Sequence, residues 1–133
     1  MLRYMLDTNI VIYTMKNRPP HVRDRFKTHD GRMCISAVTL GELIYGAERS
    51  AWPERNLADI QGLVARLDVA PFDERAAEHF GQVRAELYAS GKPIGPYDMM
   101  IAGHARSMGL VLVTNNEREF GRVPGLRIEN WSR

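Results

Sequence analysis

Short apolar runs alternate with amphipathic stretches along the whole chain. Residues 2–6 form a compact apolar run ending at Asp7, which predicts a short buried strand, and residues 8–17 read as a helix that ends before Pro19-Pro20. A polar helix is expected over 21–28, closed by Asp30-Gly31, and another short strand over 33–36. Residues 38–49 place Leu40, Leu43, Ile44 and Ala47 on one helical face. Pro53 opens a helix running to Arg66, residues 67–72 read as a strand, and Asp73 caps a helix reaching Tyr88 with Ala76, Phe80, Val83 and Leu87 on its apolar face. A Gly/Pro-rich loop over 90–96 leads into a helix over 97–108, with Tyr97, Met100, Ile101, Ala105 and Met108 on one face and Gly109 as its stop. Residues 110–113 are the clearest buried strand, and a last strand around 126–128 would close the sheet.

Strands that are short and apolar on both faces, alternating with helices, predict an α/β fold with a mostly parallel sheet of about five strands covered on both sides. The 133 residues suit one domain spanning 1–133, large enough to bury roughly two-thirds of its unfolded surface without a disulfide. The apolar share of 44% and charged share of 26% exclude a disordered chain. The single cysteine, Cys34, lies between Met33 and Ile35 and reads as a buried thiol rather than a nucleophile. No run approaches a membrane span, and the apolar start is too short for a secretory leader, so the expected compartment is the cytoplasm. A net charge of +2 is compatible with a polyanionic partner without demanding one.

Ligands of open α/β sheets bind beyond the carboxyl ends of the strands. The first strand ends in Asp7, and the helix after the second presents Glu42. The loop holding Pro93, Gly95 and Pro96 delivers Asp98, and the strand over 110–113 is followed by Thr114-Asn115-Asn116 and Glu119. Each acid also has a plain explanation: Asp7 could cap the helix after it, Thr39 to Glu42 has capping-box spacing, and Asp98 and Glu119 lie at helix starts where the dipole favours anions. Capping does not account for their meeting at one sheet edge. If they meet, a divalent cation is the simplest counter-charge, and all-oxygen ligation suits Mg²⁺ or Mn²⁺ rather than zinc. Such a site suits phosphodiester hydrolysis.

Four segments in order carry a family resemblance: Met5-Leu6-Asp7-Thr8-Asn9; Ile35 through Ala47, with Gly41-Glu42; Pro96-Tyr97-Asp98; and Leu112-Val113-Thr114-Asn115-Asn116 through Glu119-Phe120. Together they resemble the motifs of PIN-domain nucleases, and the order and spacing fit from Met1 to Trp131. Within that family the chain looks most like the VapC toxins of VapBC toxin–antitoxin pairs. Gly95-Pro96-Tyr97-Asp98 and Arg122-Val123-Pro124-Gly125-Leu126 are similar to the enterobacterial type. The resemblance implies a PIN-like α/β domain and a Mg²⁺-dependent endoribonuclease, with Mn²⁺ as a substitute, that is inhibited by a VapB-type antitoxin and forms a homodimer. It implies RNA as substrate, specifically tRNA, and for the enteric relatives the anticodon region of initiator tRNA. By position, Asp7, Glu42, Asp98 and Glu119 are the implied catalytic acids, and Asp7 and Asp98 the implied metal ligands. The fourth position departs from the commoner pattern, in which an Asp stands where Asn116 or Glu119 stands here, so either residue could complete the site.

Thr8, Asn9, Ser36 and Thr114 are candidate supporting residues, although helix starts and strand ends commonly hold such groups. The basic stretch Lys16, Arg18, His21, Arg23, Arg25 and Lys27 could track an RNA backbone, but Asp24 and the helical spacing favour a solvated face. Arg84, Lys92 and Arg106 are weaker candidates of the same kind. The four histidines, His21, His29, His79 and His104, lie outside the acidic motifs, which favours surface or supporting roles over acid–base catalysis. Residues 11–15 and 43–45 could line a groove for an antitoxin helix or belong to the core. A haloacid-dehalogenase-like phosphatase needs a second acid where Asn9 stands, and a phospho-receiver module needs paired acids after the first strand and a late lysine. A housekeeping or catalytically silent PIN-domain RNA-binding protein is the remaining alternative.

Overall fold

The sheet is built from strands too short and too apolar to stand alone. In the computed structural model, which describes residues 1–16 and 19–132 with the backbone alone at residue 21, five of them pair side by side. The order along the chain is β1 (Tyr4–Leu6), α1 (Thr8–Lys16), α2 (Pro20–Thr28), β2 (Met33–Ser36), α3 (Ala37–Glu48), α4 (Pro53–Val64), β3 (Asp68–Ala70), α5 (Glu74–Ala89), α6 (Pro96–Ser107), β4 (Val111–Val113), α7 (Glu117–Phe120) and β5 (Ile128–Glu129). The expected end of the first helix at Asn17, and the candidate Arg18, lie outside the described residues, as does the His21 side chain.

All four strand pairings are parallel, and the sheet order is β3-β2-β1-β4-β5. Side chains alternate across it with period two, as pleating requires. Tyr4, Leu6, Met33, Ile35, Val111 and Val113 enter a core with α1 to α4. Met5, Cys34 and Leu112 enter a second core with α5 and α6. Burial pushes the Cys34 thiol up to about 12, with the Asp68 charge adding to it, so the thiol is inert as expected.

Some expected boundaries and faces change in the folded chain. The strand expected over 67–72 is reduced to Asp68–Ala70 at the sheet edge, and the last strand begins at Ile128 rather than Leu126. The face expected on α6 is only partly correct. Ile101 and Ala105 are buried, but Tyr97 and Met108 are exposed, while Met99, Ala102 and His104 are buried instead. The helix middle is enclosed on several sides because α5 packs closely on it. A Cβ at Gly103 would lie 2.6 Å from the backbone nitrogen of Phe80. On α3, Leu43 and Ala47 are buried but Ile44 is largely exposed. Gly109, at φ +66°, terminates α6 in the left-handed conformation that favours glycine. Among the described residues no helix is long and apolar enough to cross a membrane.

Candidate active site

The winding of the sheet decides where a site can form. From β1 the chain proceeds to β2 and β3 on one side, and β4 and β5 are added on the other side. The reversal falls between β1 and β4, whose carboxyl ends diverge into a crevice. Asp7 follows β1 and Thr114 follows β4, so both residues stand at that crevice.

Asp7 is 4% exposed, an extreme position for a carboxyl group. Its Oδ1 accepts the Ile10 N–H at 2.9 Å, so the capping role does hold for this residue. Its Oδ2 accepts the Thr114 hydroxyl at 2.5 Å, and Thr114 Oγ1 accepts the Asn116 N–H at 2.9 Å. These bonds fix the Asp7 carboxyl from the start of α1 and from the end of β4 at once. Burial nevertheless pushes its pKa up to about 6, against the Thr114 and Ile10 hydrogen bonds and with a further rise from the Glu42 charge.

The capping box expected from Thr39 to Glu42 does not form. The N-cap of α3 is Ser36, whose Oγ accepts the Val38 N–H at 3.0 Å, so Thr39 and Glu42 already lie inside the helix. Glu42 is thereby free of the helix start. Its Oε1 accepts the Thr8 hydroxyl at 2.7 Å, which joins α3 to α1. Asp98 lies in the first turn of α6, where Gly95 is the N-cap and no side chain caps the helix. Its pKa is pushed up to about 6 by burial first, and then by the charges of Glu42, Asp7 and Glu119.

These residues share one cavity of about 200 Å³, lined by Asp7, Thr8, Asn9, Glu42, Asp98, Asn116 and Phe120. Glu119 does not line it, but its charge reaches Asp98. Asn116 Oδ1 faces the Glu119 N–H at 3.5 Å and caps the short α7. Ser36 also lies outside the cavity. Its Oγ stands 2.8 Å from His104 Nδ1, and His104 is buried edge-on against Phe72. With Oγ already receiving the Val38 N–H, the hydroxyl proton is available to Nδ1. Burial holds the His104 pKa below its ordinary value, against the Asp73 charge and a hydrogen bond with the Pro71 backbone. A surface role for His104 is therefore excluded.

Among the described residues no three acid, histidine or cysteine side chains form a ready metal-ligand set. Asp7 and Asp98, both disfavoured as anions by burial and by the charge of Glu42, do fit a hard divalent cation. Mg²⁺ is commonly held by one or two carboxylates with water completing its shell, whereas zinc sites draw on nitrogen or sulfur. Sequence reasoning missed Phe120 as part of the cavity lining, because an apolar residue in a polar segment carries no chemical signal. Of residues 11–15 and 43–45, weighed as a groove or as core, only Tyr45 lines the mostly apolar groove of about 780 Å³ formed with Thr8, Val38, Gly41, Glu42, Tyr97 and Met100, which shares Thr8 and Glu42 with the acid cavity.

A PIN-domain family model matches residues 4–126. The chain belongs to the PIN-domain family, in its VapC group. It is 64% identical over 132 residues to the tRNA(fMet)-specific endonuclease VapC of Shigella flexneri, covering 99% of this chain and 100% of that protein. It is 54% identical over 131 residues to Ribonuclease VapC2 of Haemophilus influenzae, covering 98% and 99%. Among solved structures it superposes with a TM-score of 0.95 on a chain of the DNA-bound VapBC crystal structure from Salmonella typhimurium, at 62% identity, covering 98% of this chain and 99% of that one. Nucleases of the family generally depend on a divalent metal ion.

Proposed function

We propose that the chain is the toxin of a toxin–antitoxin pair, an Mg²⁺-dependent endoribonuclease that cuts tRNA, specifically initiator tRNA in its anticodon region, and so stops translation. The observation that carries this reading is a buried Asp7 at the sheet reversal sharing one cavity with Glu42 and Asp98. The names of the relatives support the substrate, and their solution as VapBC complexes supports a VapB-type antitoxin partner. In this reading the protein is a cytoplasmic homodimer. The PIN domain spans 1–133, since β5 pairs with β4 and the buried Trp131 packs on Tyr4 beyond the matched residues.

Asp7 and Asp98 would hold the metal ion, with Mn²⁺ as a substitute for Mg²⁺. The chemistry such an ion supplies when bound is charge neutralisation at the phosphate and a lowered pKa of water. Thr114 holds Asp7 in its ionised form through the hydroxyl bond to Oδ2. Thr8 orients Glu42, which accepts the proton of the attacking water, and Glu119 completes the acidic ring around Asp98. Asn9 and Asn116 offer neutral hydrogen bonds at the cavity wall. Ser36 supports the site from a distance by starting α3, the helix that carries Glu42. The groove beside Tyr45 and Tyr97 gives an apolar segment of the antitoxin a place that abuts Glu42.

The test is incubation of purified total tRNA with the protein in Mg²⁺ and in EDTA, beside an Asp7→Asn variant. Discrete fragments with 5′-phosphate and 3′-hydroxyl ends, dependent on both the metal and Asp7, are expected. Fragments ending in 2′,3′-cyclic phosphate would overturn the mechanism. Well-folded protein that leaves every RNA intact while still binding it would favour the catalytically silent alternative.

A further inference from the structure

The loop that leads to Asp98, together with α7, which carries Glu119, and the turn after it, also encloses a separate cleft of about 490 Å³, lined by Gly91, Lys92, Pro93, Arg118 and Arg122. Three of these five residues are cations and none is an acid. Among the described residues none of the three forms a salt bridge, whereas Arg106 pairs with Glu86 elsewhere. Arg122 is already positioned, because its Nη1 donates to the Pro93 carbonyl at 3.2 Å and ties the loop to the turn. Lys92 and Arg118 are exposed and make no side-chain hydrogen bond among the described residues.

Such a cluster is unfavourable by itself. The chain carries a net charge of only +2, so three cations around one cleft are a local feature, not a general coating. Their mutual repulsion is relieved by an anion, and a guanidinium fork matches the oxygens of a phosphate in a bidentate geometry. The cleft is also continuous in sequence with the acid cavity. Glu119 and Phe120 sit between its two arginines, and Asp98 follows shortly after Pro93.

We propose that this cleft binds a backbone phosphate of the RNA strand, next to the one cut at the acid cavity, with Arg118 and Arg122 gripping its oxygens and Lys92 closing over it. The proposal rests on the endoribonuclease reading. It assigns to these cations the task of setting the register of the strand, since phosphate contacts position a nucleic acid without reading its sequence.

The test measures affinity of the full chain for purified initiator tRNA over a range of salt concentrations. Asp7→Asn serves as the parent so that the RNA stays whole, and Lys92→Gln with Arg118→Gln is added to it. Both positions are exposed, and an unchanged Tm confirms the fold. Losing the hold on this one phosphate lowers the slope of log affinity against log salt by about 0.7 and weakens binding roughly fourfold at 0.15 M salt. In the active protein the same pair raises KM and leaves kcat unchanged. The same charge change at the exposed Arg55 and Arg75, on α4 and α5, neither of which lines the cleft, produces a much smaller effect. Unchanged affinity and slope, or an equal effect from the Arg55 and Arg75 pair, would overturn the proposal while leaving the nuclease reading intact if the wild type still cuts RNA. Loss of antitoxin affinity with an unchanged RNA slope would assign the cleft to an acidic segment of the antitoxin, and also overturn it. Failure of the parent to bind any RNA would overturn both readings.

Discussion

Replacing Asp98 by Asn removes a charge that the fold opposes. The Asp98 carboxyl is half-buried, and burial together with Glu42, Asp7 and Glu119 raises its pKa from 3.8 to about 6. Between those values the folded chain holds a proton that the unfolded chain has released. Stability therefore falls as pH rises through this window, and the full deficit is present above pH ~6–7. At 1.36 kcal/mol per pH unit of difference, the displacement corresponds to ~3 kcal/mol as an upper bound. Solvent access and the shared charge with Asp7 reduce this to ~1–2 kcal/mol. The Asp98→Asn substitution keeps the shape of the side chain and discards the charge. The metal-free variant should thus be more stable than the wild type at pH 7.5, with Tm higher by roughly 3–10 °C, and indistinguishable from it near pH 4. Thermal unfolding in EDTA at both pH values is the assay. Adding Mg²⁺ should stabilise the wild type more than the variant, and the variant should not cut tRNA. A gain of equal size at both pH values would show that the effect is not electrostatic. A loss of stability at pH 7.5 would show that Asp98 has a favourable partner, and would refute the reasoning.

Three further substitutions address the scaffold around the acids. Thr114→Val removes the hydroxyl that Asp7 accepts and the acceptor of the Asn116 N–H, and should destabilise by ~1–3 kcal/mol in denaturant unfolding. Because the lost bond favours ionised Asp7, its pKa rises further, and the acidic limb of the cleavage–pH profile should move to higher pH. Ser36→Ala removes the cap of α3 and the partner of His104 Nδ1, and should cost about 1–2 kcal/mol in chemical unfolding while cleavage persists at low temperature. Gly103→Ala places a methyl group against the Phe80 backbone, where neither helix can yield cheaply, and should lower stability by ~1–3 kcal/mol as measured by Tm. An unchanged Tm would mean that α5 and α6 separate without loss.

Much of this protein is legible in its residue order. The apolar runs ending at Asp7, Ser36 and Val113 specify buried parallel strands, because residues apolar on both faces of a strand require cover on both sides. Proline at 53, aspartate at 73 and glycine at 109 mark helix ends through local backbone chemistry. The acids were identifiable as candidates from their places after strands and loops, and the order of four motifs pointed to the family. Local spacing could not decide what each acid does once the chain folds. Asp7 both caps α1 and enters the cavity, whereas Glu42, spaced as a cap, turns to Thr8 because Ser36 starts the helix earlier. His104 carries no sign of burial in its own helix, and only the packing of β2, Phe72 and α6 places it against Ser36. The cleft of Lys92, Arg118 and Arg122 joins segments distant in sequence, held together by one guanidinium on the Pro93 carbonyl. Periodicity reports the face a residue shows to the nearest layer. Long-range packing decides which charges meet, and with them the electrostatics of the site.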